Sequence, residues 1–297
     1  MKIVVARLIG GLGNQMFQYA AGRALALRCG AAFKLDLSGF AVYPKRHYEL
    51  DDFPICAAPA SDADRAAFGL RAAGVLADLG RRVRRLLRMD MGPAGSPIYS
   101  ERHFHFDAQV RDLTPPVYLD GYWQSEKYFA DCAESLRQEF TPRVPLDAEN
   151  AAMAARIAAV NAVSLHVRRG DYVSELDVSR YHGICPPDYY RSAVDYIAQR
   201  VPGIHLFVFS DDQHWVRENL RFDLPTTLVA ANSPDRGFRD MQLMARCRHH
   251  IVANSSFSWW GAWLNPSPAK IVVAPSRWFG VDTIDTRDLI PESWVKL

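Results

Sequence analysis

Two adjacent arginines, Arg168 and Arg169, directly follow an apolar run at residues 163–167 that is typical of a buried parallel strand. Ligands of α/β proteins bind where parallel strands end, so fixed positive charge at this point favours an anionic ligand. Asp171 stands in the same turn. These side chains could instead form an ion pair that only stabilises a loop, because ion-pair networks also arise for structural reasons.

Further polar groups stand at a glycine turn or at predicted strand ends: Asn14 with Gln15, Asp211 with Asp212, and Asn254 with Ser255 and Ser256. The first group opens a predicted helix, whose N-terminal N–H groups could bind an anion. Arginines and helix N termini suit a diphosphate, and carboxylates suit guanine N–H groups or ribose hydroxyls. Asn and Ser suit phosphate or sugar oxygens. This combination is typical of a nucleotide-sugar site.

The segments that carry these residues repeat a pattern of strand, polar strand end and helix. The pattern predicts an α/β protein with two Rossmann-like, doubly wound domains facing a cleft. A proline-punctuated break at residues 141–146 places the boundary between domains of residues 1–150 and 151–297.

Composition limits the classes of partner and compartment. A net charge of +2 provides no overall attraction to nucleic acid or membrane. The chain has 5 cysteines without a C-x-x-C pair, so neither a disulfide framework nor a zinc site is indicated. The first residues already resemble a strand rather than a signal peptide, and no apolar run is long enough to span a membrane. We therefore expect a cytoplasmic protein.

Residues 81–88 alternate apolar and basic side chains in the manner of an amphipathic helix. Such a helix could lie on anionic lipid headgroups, which would place the protein at a membrane periphery. The other interpretation is a solvated basic face that packs on its own domain.

Three competing interpretations have weaker support. The turn at residues 10–13 partly matches a dinucleotide fingerprint, with Asp36 as the ribose-binding acid, but the third glycine is missing. Asp211 and Asp212 could hold a metal, yet adjacent residues of a strand point to opposite faces. Trp259 and Trp263 could stack on a sugar, but their i, i+4 spacing favours a packed helix face.

Four motifs together make the sequence similar to the α-1,2-fucosyltransferase family, glycosyltransferase family 11: GGLGNQMFQYA at 10–20, HVRRGDY at 166–172, FSDD at 209–212 and NSSFSWWGAWL at 254–264. The resemblance implies a GT-B-like fold, GDP-fucose as the donor substrate, and transfer with inversion. It also implies that no cofactor or metal is required.

The resemblance further implies roles for single residues. Arg168 would bind the diphosphate, and Arg169, His166 and Asp171 would shape that catalytic loop. The remaining donor-binding positions would be Asp211 or Asp212 for the nucleoside, Asn254, Ser255 and Ser256 for phosphate or fucose, and Asn14 and Gln15 reaching across from the first domain. The proton acceptor stays open among Asp171, Glu175, Asp177 and His166.

We therefore expect an enzyme that moves L-fucose from GDP-fucose to the 2-hydroxyl of a glycan residue, with terminal galactose as the expected acceptor. One alternative is a GDP-fucose transferase that makes an α-1,6 or O-linked product. Another is a nucleotide-binding or glycan-binding module without turnover. No nucleic-acid partner is expected.

Overall fold

The computed structural model describes residues 2–41, 46–70, 97–170, 183–230, 232–233 and 236–297. Asp171, the further base candidates Glu175 and Asp177, and the basic stretch at 81–88 lie outside the described residues. The chain divides into two compact units. Unit 1 comprises Met1–Arg143 with Asp285–Leu289, and unit 2 comprises Val144–Ile284 with Ile290–Leu297.

Unit 1 contains a parallel sheet with the strand order β3-β2-β1-β5-β4. Its strands are β1 (Ile3–Arg7), β2 (Ala32–Asp36), β3 (Ala58–Pro59), β4 (Ile98–Ser100) and β5 (Val117–Asp120). Its described helices are α1 (Leu12–Cys29), α2 (Asp62–Ala66) and α3 (Ala133–Glu139). The predicted strand–helix–strand beginning of the chain is therefore present as β1, α1 and β2.

Helix α1 comes closest to the sheet at Gly22. A side chain at Gly22 would come within 2.5 Å of the Phe33 ring, so glycine is what permits this approach. The helix ends at Gly30, whose left-handed backbone (φ 57°) lets its N–H reach the carbonyls of the last turn.

Unit 2 contains a second parallel sheet, with the strand order β11-β10-β9-β6-β7-β8. Its strands are β6 (Asn161–Val167), β7 (Ile204–Ser210), β8 (Thr226–Val229), β9 (His249–Ile251), β10 (Val272–Ala274) and β11 (Val295–Lys296). Its described helices are α4 (Ala148–Ala158), α5 (Pro187–Ala198), α6 (Gln213–Asn219), α7 (Gly237–Met244) and α8 (Ser256–Trp263). Two parallel α/β sheets confirm the predicted fold class.

Strand β6 lies inside the second sheet, and every residue from 162 to 167 is buried. Val167 is opposite Ser210 of β7, and Leu165 is opposite Ile251 of β9. Because all three strands are parallel, the segments that follow them emerge at the same edge of the sheet. This register places the predicted polar strand ends of unit 2 side by side.

The tryptophans of α8 belong to the core of unit 2. Trp259 and Trp263 are buried, and their rings stack with centroids 6.0 Å apart and an interplanar angle of 15°. The predicted packed helix face is confirmed. Along the described part of the chain, no helix is both long and apolar enough to cross a membrane.

A buried histidine joins strands β6 and β9. His250 Nδ1 lies 2.8 Å from the Ser164 hydroxyl, and His250 Nε2 lies 2.9 Å from the Asn265 side-chain nitrogen. The side-chain nitrogen of Asn265 can only donate, so His250 Nε2 accepts and the ring proton resides on Nδ1. Burial lowers the pKa of His250 well below its usual value, and the nearby Lys270 and His249 lower it further.

This neutral histidine should make stability depend on pH. Below its ordinary pKa of about 6.5, His250 gains a proton only in the unfolded chain, so the free energy of unfolding falls as the solution is acidified. The free energy of unfolding can change by about 1.4 kcal/mol per pH unit from this one group. Denaturant unfolding gives the free energy of unfolding at each pH between 7 and 5. That free energy should change less steeply with pH for His250→Gln than for wild type. His214→Asn is the control, because the His214 side chain is 82% exposed, and it should retain the wild-type dependence on pH. The same dependence in all three proteins would contradict a neutral His250 in the folded protein.

Candidate functional site

The side chain of Arg168 projects from the end of β6 and is partly exposed. Its NH1 lies 2.8 Å from Asp211 Oδ2, and 26% of the arginine side chain remains accessible. Asp211 directly follows β7, the strand that pairs with β6. The structure therefore brings together two predicted site residues that are far apart in sequence.

Arg169 points into a different environment from its neighbour. Its guanidinium lies 4.0 Å from the centroid of the Trp215 ring, and its Nε lies 3.5 Å from Asp212 Oδ2. Asp212 also caps helix α6, because its Oδ1 accepts a bond of 3.0 Å from the Trp215 N–H. Arg169 and Asp212 thus anchor the turn at residues 168–170 (the arginine turn) to α6.

His166 is buried beneath the same turn. Its ring centroid lies 5.4 Å from that of Phe257, in the first turn of α8, so the end of β6 and the start of α8 are in contact. Burial lowers the pKa of His166 well below its usual value, with Arg168 adding to this and Asp211 opposing it. Nδ1 has no hydrogen-bond partner within the described residues. A neutral imidazole with a lowered pKa is a weak base, which disfavours His166 as the proton acceptor.

The start of helix α8 offers N–H groups that its own N-cap residue does not satisfy. Ser255 is the N-cap residue in extended conformation, but its hydroxyl makes no capping bond. Ser256 is the first residue of the helix and is partly exposed. The N terminus of a helix carries partial positive charge, so this end of α8 suits an anion.

Among the described residues, Asn254, unlike the two serines, has a side chain that is hydrogen-bonded to backbone carbonyls. Its side-chain amide donates to the carbonyls of Trp278 (3.1 Å) and Gly183 (3.3 Å), and its oxygen accepts a bond from the Cys185 thiol. The residue is 3% exposed. These bonds hold the neighbouring loops in place, and a direct contact between Asn254 and phosphate or fucose stays a prediction.

In unit 1, both polar atoms of the Gln15 side chain form hydrogen bonds with the backbone. Its Nε2 donates to the carbonyls of Gly10 (2.9 Å) and His47 (2.8 Å), and its Oε1 accepts from the Glu49 N–H (2.9 Å). Asn14 is partly exposed, and its Oδ1 accepts from Gln124 at 2.8 Å. Donor binding by Asn14 and Gln15 stays a prediction.

Sequence reasoning missed Glu49, whose carboxylate lies beside the N terminus of α1. Its carboxylate accepts a bond from the Leu12 N–H, and burial raises its pKa while His47 and Arg46 oppose the rise. The helix N terminus that was expected to offer an anion site therefore holds a carboxylate of the chain itself. A phosphate bound there would compete with Glu49 for the Leu12 N–H, and the same holds for the dinucleotide alternative. No local signal reveals this contact, since the two segments are far apart in sequence.

The groups at the edge of the second sheet can stabilise negative charge. Arg168 contributes a partly exposed cation. The first turn of α8, which His166 of β6 contacts through Phe257, contributes oriented N–H groups. Within the described ranges, no group of three or more His, Cys, Asp or Glu side chains is arranged to hold a metal ion.

Comparisons with known proteins show which family the chain resembles. The profile of glycosyl transferase family 11 matches residues 100–297. An alpha-1,2-colitosyltransferase from Escherichia coli is 36% identical over 100% of this chain and 99% of its own length. A galactoside alpha-(1,2)-fucosyltransferase 1 from Saimiri sciureus is 28% identical over 54% of this chain and 47% of its own. The solved NodZ alpha-1,6-fucosyltransferase soaked with GDP-fucose aligns with a TM-score of 0.45 and 14% identity, covering 89% of this chain and 93% of that one.

Substitution of Asp212 should separate its capping role from its predicted contact with the nucleoside. Asn is as good an N-cap residue as Asp, so Asp212→Asn should keep the melting temperature close to wild type. Asp212→Ala should lose about 1 kcal/mol of unfolding free energy. Thermal unfolding and GDP titration calorimetry measure the two properties. An equal loss of stability in both variants would contradict the capping role, and wild-type GDP affinity in Asp212→Asn would contradict the nucleoside contact.

Proposed function

The chain belongs to glycosyl transferase family 11, and we propose that it moves L-fucose from GDP-fucose to the 2-hydroxyl of a galactose residue in a glycan. The product would carry an α-1,2 linkage formed with inversion. The observation that carries this proposal is the partly exposed Arg168 guanidinium at the end of β6, the strand whose His166 ring contacts Phe257 in the first turn of α8. These elements carry two groups of positive charge, the guanidinium and the N terminus of α8. This pair of positive groups matches the charge of a diphosphate.

The proposed chemistry uses these groups on the leaving group. Cleavage of the sugar–phosphate bond builds negative charge on GDP and positive charge on the fucose ring. A preorganised guanidinium and helix N terminus stabilise the departing diphosphate without reorganising during the reaction. We propose that these residues supply the charge stabilisation without a metal ion, so turnover should persist in excess EDTA.

The proposed linkage and the proposed acceptor are supported by the names of related proteins. The alpha-1,2-colitosyltransferase and the alpha-1,2-fucosyltransferase share a linkage in their names, which supports the α-1,2 product. They differ in the sugar, and colitose is L-fucose without its 3-hydroxyl. GDP-colitose is therefore the second candidate donor. The galactoside named in the fucosyltransferase supports galactose as acceptor.

The decisive assay incubates the purified protein with GDP-fucose or GDP-colitose and a galactose-terminated oligosaccharide. We expect GDP release that requires the acceptor, and a product with an α-1,2 linkage by NMR. Turnover with GDP-colitose alone would overturn the fucose assignment, and a different linkage would indicate another class of fucosyltransferase. GDP binding without turnover would indicate a binding module. The cytoplasmic location and the membrane contact of residues 81–88 stay predictions.

Removal of the Arg168 guanidinium should nearly abolish activity while the protein stays folded. Loss of one donor that stabilises the transition state typically lowers the rate by about a hundredfold or more, or about 3 kcal/mol. The kcat of Arg168→Ala is the measurement, with circular dichroism as the test of folding. Arg191→Ala is the matched control, because Arg191 lies on α5 and is half exposed in an i, i+3 pair with Asp188. Near-normal turnover by Arg168→Ala would refute the assignment.

A further inference from the structure

We propose that Asp211 is a positioning residue whose carboxylate holds the Arg168 guanidinium and the turn after β6 in the arrangement that receives the donor diphosphate. This inference deepens the proposed function and rests on it. It differs from the sequence-based expectation that Asp211 contacts the nucleoside.

Three donors surround the Asp211 carboxylate. Asp211 Oδ1 accepts the Arg169 N–H at 2.8 Å, and Oδ2 accepts the Gly170 N–H at 3.1 Å. The same Oδ2 lies 2.8 Å from Arg168 NH1. Both oxygens of Asp211 are therefore engaged by three consecutive residues of the arginine turn. A carboxylate used in this way determines the shape of the turn.

Gly170 leaves the space that this carboxylate occupies. A β-carbon at position 170 would lie 2.7 Å from Asp211 Oδ2 and 3.3 Å from its Cγ. The backbone of Gly170 lies outside the left-handed region, unlike that of Gly183 (φ 70°) or Gly203 (φ 63°). Glycine is therefore needed at position 170 for the approach of Asp211 and not for a backbone angle.

The groups of the turn differ in whether they can meet a ligand. The N–H groups of Arg169 and Gly170 point at Asp211, so the diphosphate would meet the guanidinium of Arg168 rather than a cradle of these amides. An arginine side chain has several rotatable bonds, and holding it in one arrangement before the ligand arrives lowers the cost of binding and catalysis. Asp211 supplies that restraint from the neighbouring strand.

Two roles of Asp211 predict different binding behaviour. A nucleoside contact would weaken guanosine and GDP equally when it is removed. A restraint on Arg168 would leave guanosine binding unchanged and would impair only the steps that involve the diphosphate. Gly170→Ala separates the roles further, because it displaces the carboxylate without removing any charge.

The experiment compares wild type, Asp211→Asn, Gly170→Ala and Gly237→Ala. Gly237 is the matched control, since among the described residues a β-carbon there would meet Phe257 Cε2 alone, at an ordinary 3.6 Å. We expect at least a tenfold loss of kcat in Asp211→Asn and Gly170→Ala, weaker GDP binding, and guanosine affinity within twofold of wild type by calorimetry. Added to Arg168→Ala, either substitution should cause no further loss of GDP affinity, because residues that act through one another are not additive.

Wild-type kcat and GDP affinity in Gly170→Ala would overturn the proposal, as would a loss of guanosine affinity in Asp211→Asn that equals its loss of GDP affinity. If Asp211→Asn does not fold, Gly170→Ala carries the test by itself. Absence of GDP-fucose turnover in the wild type would refute the proposed function instead. The comparison of GDP with guanosine would then still decide the role of Asp211, because binding needs no turnover.

Discussion

The parallel pairing of β6 with its neighbours is the constraint on which the candidate site depends. Val167 and Leu165 are fully buried, so β6 requires a strand on each side to satisfy its backbone. The ladder with β7 sets Val167 opposite Ser210, and one residue further along each chain stand Arg168 and Asp211. The approach of guanidinium to carboxylate therefore follows from the backbone register of a buried sheet.

The two units treat the start of a helix in different ways. In unit 1, the Leu12 N–H in the first turn of α1 donates a hydrogen bond to the Glu49 carboxylate. In unit 2, the Ser255 hydroxyl at the start of α8 makes no capping bond. The partial positive charge of the first helix is thus already balanced by the protein, while that of the second is suited to an external anion. Similar supersecondary structure supports different electrostatic roles.

Two buried histidines of unit 2 show a related contrast. His250 has a partner at each ring nitrogen and belongs to a closed polar network between β6 and β9. His166 lies at the other end of β6, and in the described part of the chain its Nδ1 has no protein partner. An unsatisfied buried polar group costs stability. Among the described residues, the group without a partner thus lies next to Arg168, beside the predicted diphosphate position, while the histidine inside the sheet has a partner at both ring nitrogens.

The amino-acid sequence by itself determined the α/β class, the strand ends that carry polar residues, and the packed tryptophan face of α8, because these depend on local periodicity and burial. It could not determine which side chains at those ends face a ligand. Arg168 and Arg169 are adjacent in the chain, yet one is restrained by Asp211 and the other stacks on Trp215. Glu49 likewise reaches α1 only through the tertiary fold. Contacts between segments far apart in sequence arise from strand order and register, which local patterns do not encode.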